Sequence, residues 1–134
     1  MPLPPLLSER PAALRLSLTV LTPAIAGFVT GVTLGVGIGA WVIANALATL
    51  GGLGAGFEHD GVRSGVRRGA VGGACFGLAL VLADATVVGD RVATIADPAI
   101  LQTVVTTAGG TLLGALGGAA RGRLCRRAAA AATA

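Results

Sequence analysis

Lysine and tyrosine are absent from this 134-residue chain, histidine occurs once, and only 12% of residues are charged. Each shortage removes a class of function. Without lysine there is no phosphate-binding loop of the Walker A kind. One tryptophan and three phenylalanines leave little for bases to stack on, so the net charge of +4 is not read as a nucleic-acid footprint. A single His59 completes neither a zinc ligand set nor a triad, and Ser8, Ser17 and Ser64 lack a nucleophile elbow around them. No enzymatic activity, metal site or cofactor is expected. Cys75 lies in an apolar run and Cys125 among arginines, at different depths; a disulfide needs Cα atoms within about 7 Å, so two free thiols are expected.

The scarcity of charge matters most. A soluble domain is about one quarter charged, whereas this chain is 54% hydrophobic with a mean hydropathy of +0.83. Lipid is the simpler solvent for it. From Leu16 to Phe57 there is no charge at all. As one helix that run would be about 63 Å long, twice the ~30 Å hydrocarbon core, so it folds back once. Gly35, Gly37 and Gly39 loosen the helix, and Trp41 behind them suits an interface, which places the turn near 36–41. Pro23 is expected to kink the first span.

Two further apolar runs follow. One extends from Gly69 to Gly89, broken only by Asp84; the other from Ala99 to Ala120, behind Asp97-Pro98, a capping residue followed by proline. The expected fold is all-α, an integral membrane four-helix bundle with spans at about 16–36, 41–57, 69–88 and 99–120. A proline-rich tail over 1–15, extended in character, precedes this membrane domain of 16–122. A basic, alanine-rich tail over 123–134 either extends the last helix or frays. Alternating apolar residues over Val32–Val42 do not make a β-barrel, which needs aromatic girdles and many short strands. Arg10, Arg15 and Ala24-Ile25-Ala26 before Gly27 have features of a cleavable leader, but the hydrophobic run continues thirty residues beyond, so an uncleaved first span is expected.

With four spans, nine arginines share a side with both termini, and Arg91 stands alone on the other. That bias puts both termini in the cytoplasm and the chain in the cytoplasmic membrane.

Glycine is what the chain has in excess, 22 residues. Gly27, Gly31, Gly35 and Gly39 form one row at four-residue spacing. Gly65, Gly69, Gly73 and Gly77 form a second, Gly110, Gly114, Gly118 and Gly122 a third, and Ala44, Ala48, Gly52 and Gly56 a weaker fourth. On a helix each row is a stripe without side chains, where another backbone approaches closely. Such small-xxx-small stripes are expected to pack the helices and can support a homo-oligomer.

Few residues offer chemistry. Glu58-His59-Asp60 is a dense cluster of donors, read as a solvated loop because the ligand set is incomplete. Gly35-Val36-Gly37-Ile38-Gly39-Ala40 matches a dinucleotide fingerprint without the strand and helix that give it meaning. Asp84, an ionisable group inside a span, is a candidate polar site with Asn45, Gln102 or Thr103 as partners; the alternative is that it reaches the outer headgroups. Arg63, Arg67, Arg68, Arg121, Arg123, Arg126 and Arg127 sit where anionic headgroups of the inner leaflet lie, as ligands for them or as topology determinants.

The arginine loop leading into Gly65-Val66-Arg67-Arg68-Gly69-Ala70-Val71-Gly72-Gly73, the paired early spans and Gly109-Gly110-Thr111-Leu112-Leu113-Gly114-Ala115-Leu116-Gly117-Gly118 resemble small Gly/Ala-rich, four-span prokaryotic membrane proteins of unknown function. The resemblance covers residues 20–122 and transfers no active site. The four short spans also look like small multidrug exporters, whose intramembrane glutamate in the first span has no counterpart here. Three roles follow: a structural or interaction protein, a small transporter or channel using Asp84, or a holin-like lesion former.

Overall fold

Helix is the only regular structure that closes its own backbone hydrogen bonds over a long apolar run, and four helices account for the runs just described. The computed structural model describes residues 5–132; Pro2 and Pro4 of the proline-rich segment lie outside it, as do residues 133 and 134. The four helices are α1 (Ala12–Thr33), α2 (Ile38–Phe57), α3 (Val62–Thr86) and α4 (Ile100–Ala132), each long and apolar enough to cross a membrane. Among the described residues there is no strand.

Several boundaries differ from those expected. Residues 7–9 form a 3-10 turn and α1 starts behind Pro11, so the first segment is not an extended tail. It is docked: Leu7 N donates to Glu58 O at 3.0 Å, and Arg10 pairs with Glu58 at 2.6 Å. The first turn occupies residues 34–37, earlier than 36–41, and Trp41 lies inside α2. Helix α3 begins at Val62 instead of 69, which puts Arg63, Arg67 and Arg68 on a helix. Arginine is a good helix former, and Gly61 turns the chain into α3 at φ +86°, a conformation open to glycine. At the far end α4 continues through Ala132. Its 33 residues make about 50 Å, longer by roughly thirteen residues than a ~30 Å hydrocarbon layer would require.

The packing is inverted relative to a soluble domain. Among the described residues the buried hydrophobic side chains are few, Leu7, Leu34, Leu80 and Ala83, while Ile43, Leu47, Leu50, Val104, Leu112 and Leu116 face outward. The interior is lined by glycines. On α3, a Cβ added to Gly65 or Gly69 would overlap the carbonyls of Gly114 and Gly110 on α4; one on Gly73 would meet Thr107 Cα at 2.9 Å, and one on Gly77 would meet Thr103 Cα at 2.7 Å. Helix α1 meets α3 through Gly27, 2.7 Å from Phe76 Cα by the same construction, and Gly31, 2.7 Å from Ala83 Cβ. Helix α2 meets α4 where Gly56 would touch Gly114 Cα at 2.8 Å and Gly117 would touch Phe57 N at 2.7 Å. The central pair is thus α3 and α4, with α1 on α3 and α2 on α4. Between α1 and α2 the bundle gapes.

Candidate functional site

The gap between α1 and α2 is a cleft of about 820 Å³, within the ~300–1,000 Å³ of small-molecule pockets. Small residues line much of it: Ala26 on α1, Ala44, Ala48, Gly52 and Ala55 on α2, and Gly69, Gly72, Gly73, Gly109 and Gly110 on the floor supplied by α3 and α4. Ile25, Val29, Leu47, Phe76 and Leu113 stand among them. Thr30, Asn45, Thr49 and Thr106 are the polar members of the mid-wall. Each donates along its own helix. Thr30 Oγ1 donates to Ala26 O at 2.8 Å, Asn45 Nδ2 to Trp41 O at 2.9 Å, Thr49 Oγ1 to Asn45 O at 2.8 Å, and Thr106 Oγ1 to Gln102 O at 3.0 Å. Hydroxyls that bond back into the preceding turn present mainly their methyl side, so the wall is apolar in effect.

One end of the cleft is charged, with Arg68 and Glu58. The reason Arg68 sits there starts with a proline. Pro23 has no N–H to give to Thr19 O four residues back or to Leu18 O five back. Ahead of it the backbone widens into a π turn over Ser17–Leu21, with Thr22 N donating to Ser17 O. Arg68 supplies the missing donors across the helix interface: Nη2 to Leu18 O, and Nη1 to Thr19 O at 3.4 Å. Gly72 makes room, since a Cβ there would lie 2.5 Å from Arg68 Nη1. Of the seven arginines expected at the headgroups, Arg68 is therefore turned inward. Arg121 is too: it is buried, donates to Phe57 O at 3.2 Å and lies over the Phe57 ring, 5.9 Å from its centroid. Arg63, Arg67, Arg123, Arg126 and Arg127 are exposed.

Asp84 lies at the opposite end. It is buried to 4% exposure, and its partner is Arg91, with Nη2 2.7 Å from Oδ2. Nε stands 2.6 Å from Oδ1 as an ion pair, without the alignment of a hydrogen bond. None of the three partners expected from the sequence takes this place. Asn45 bonds within α2, Gln102 Oε1 accepts from Ala96 N at 3.2 Å, and Thr103 Oγ1 is buried without a hydrogen-bond partner. The loop after α3 doubles back, with Val92 N donating to Leu34 O at 2.9 Å, and carries Arg91 over the carboxylate. A carboxylate this enclosed needs a cation beside it.

In the Glu58-His59-Asp60 cluster, His59 Nδ1 lies 3.0 Å from Ala55 O, so the ring N–H donates there. Among the described residues no group of three or more His, Cys, Asp or Glu side chains comes together as a metal set, and Cys75 and Cys125 are free thiols. Of the glycines in the rows, Gly110, Gly114 and Gly118 meet α3 backbone. Gly35 makes only an ordinary contact with Val88, Gly122 touches only Arg126, and Gly39 has nothing near it. Four participants escape a four-residue count: Gly117, Gly72, Arg68 as a cap, and Arg91. A readable signal existed for one of them, a proline inside a span with an arginine at matching depth on another. Comparison with known protein families, with curated proteins and with solved structures finds no match for this chain.

Proposed function

We propose that this chain is a multi-pass protein of the cytoplasmic membrane that acts as a structural or interaction component, by binding and not by catalysis. Both termini face the cytoplasm, on the side of the nine arginines. Its helices are held by close backbone packing along the glycine stripes, which is what associates helices in lipid, where burial alone does not. The surface left for partners, a second copy included, is α2 and the cleft beside it.

The observation that carries this reading is the attachment of α2. Gly56 is its one buried residue, and it rests on α4 through small residues while the side toward α1 stays open. Asp84, the residue a transporter would use, is tied to Arg91. A proton or cation path through it would first have to break that pair, which favours binding over transport.

Controlled bacterial expression tests the proposal. The expected result is a chain that resists alkaline washing from membranes, leaves growth unchanged, and lights a C-terminal reporter active only in the cytoplasm. Lysis on induction, or growth that depends on an added solute, would overturn the binding role. A silent reporter would overturn the orientation.

A further inference from the structure

Depth along α3 is the starting point. Counting back from Thr86, about 20 residues cover a ~30 Å hydrocarbon layer and end beside Arg68. Arg68 thus sits at the border between acyl chains and phosphates. The cleft starts there and runs inward, along α1 from Leu18 to Thr30 and along α2 from Glu58 to Ala44. These stretches span roughly 18–21 Å of helix, a little more than one leaflet of about 15 Å. Its shape is that of a slot at right angles to the membrane plane, one leaflet deep.

Charge says what enters it. Glu58 is the sole carboxylate lining the cleft, and Arg10 holds it at 2.6 Å. Arg68 belongs to neither of the two ion pairs among the described residues. A guanidinium carries five N–H donors; the Leu18 and Thr19 carbonyls each take one bond from it. The mouth therefore presents a half-buried cation with donors to spare, beside a Glu58 carboxylate whose ion pair is with Arg10. Inward of Arg68 the hydroxyls of Thr30, Thr49 and Thr106 are bonded back into their own helices, so the slot beyond the cation suits an apolar chain.

We propose that the cleft holds one acyl chain of an anionic phospholipid from the arginine-side leaflet, with the lipid phosphate on Arg68. This rests on the membrane-spanning reading above and names the partner of the open face.

The test is native mass spectrometry of the full chain released from nanodiscs of equal phosphatidylglycerol and phosphatidylcholine. The wild type is expected to retain one phosphatidylglycerol per chain, favoured about fivefold, the ratio one interfacial arginine supports. Arg68→Lys keeps the preference; Arg68→Gln brings it to about one. Because Arg68→Gln also strips a cap from α1, Ala48→Phe provides an independent arm: it fills the slot, leaves Arg68 in place, and removes the retained lipid. Equal retention of both lipids by the wild type, undiminished retention in Ala48→Phe, or a second copy of the chain in place of lipid would each overturn the proposal. Vesicle flotation separates the two levels. A chain that floats yet retains no lipid sinks only this inference, and one that does not float sinks the membrane reading.

Discussion

Asp84 and Arg91, seven residues apart in sequence, close on one another across the end of α3, with the carboxylate buried and the guanidinium half in solvent. Removing the cation leaves a buried carboxylate alone. Arg91→Gln is expected to destabilise the bundle by about 1–3 kcal/mol, between the limits for exposed and buried pairs. Asp84→Asn with Arg91→Gln should recover part of that loss. Unfolding titrations with SDS in mixed micelles measure both; a double variant less stable than Arg91→Gln would contradict the pairing.

Pro23 and Arg68 make a second testable couple. Arg68→Gln leaves two carbonyls of α1 without their donors, a loss of about 1–3 kcal/mol for buried groups. Pro23→Ala returns a backbone N–H to the same stretch. In a double-mutant cycle, the effect of Arg68→Gln is expected to be smaller in the Pro23→Ala background. Strict additivity would show that the two residues act separately.

Glycines divide sharply by what a methyl group would meet. At Gly69 it would run into the Gly110 carbonyl, whereas at Gly109, one residue from that contact, there is nothing within 4 Å. Gly69→Ala should therefore loosen α3 from α4 and lower the melting temperature. Gly109→Ala should raise it slightly, by the ~1 kcal/mol that alanine gains over glycine in a helix. Melting curves in one detergent compare the two directly.

Gly61 is a conformational case, free of any packing clash. Its Cβ position is open, yet its φ is +86°. Gly61→Ala is expected to cost about 1–3 kcal/mol from backbone strain alone, while Gly54→Ala in α2, also with open space, should not. Equal effects on the denaturation midpoint would show that the turn relaxes freely.

The two thiols report topology. Cys125 is exposed on the part of α4 beyond the apolar core, and Cys75 is half-buried within α3. A membrane-impermeant maleimide is expected to label Cys125 in inverted vesicles and not in intact cells, and to label Cys75 in neither. Labelling of Cys125 in intact cells would reverse the orientation.

Periodicity in the sequence shows which residues share a stripe, and charge shows where stripes end. That is enough to read four helices and the rows of Gly65 and Gly110. It does not show which stripe faces which neighbour. Gly117 illustrates this: it stands one residue before Gly118 and so off the row of Gly114, and its value comes from α2 arriving on that side. Arg68 was hidden for a related reason. Read by composition it belongs with Arg67 in a polar loop, and only the lost donor at Pro23, on another helix, draws it inward. Asp84 was legible as unusual, but its partner depended on how residues 87–99 fold back, and loops carry no periodic signal. Helix ends moved because Gly61 and Pro11 punctuate the chain more firmly than hydropathy does.

The seam between α3 and α4 has a consequence for how this chain can change over time. At Gly65, Gly69 and Gly73 the touching atoms are main chain, so no compensating side chain exists to be trimmed when a neighbour grows. Outward-facing leucines and valines can exchange among themselves with little effect on this seam, because they lie on the exposed side of their helices. Lineages descended from this chain are therefore expected to drift on their outside and stay frozen within, with the frozen positions occupied by the smallest residue there is.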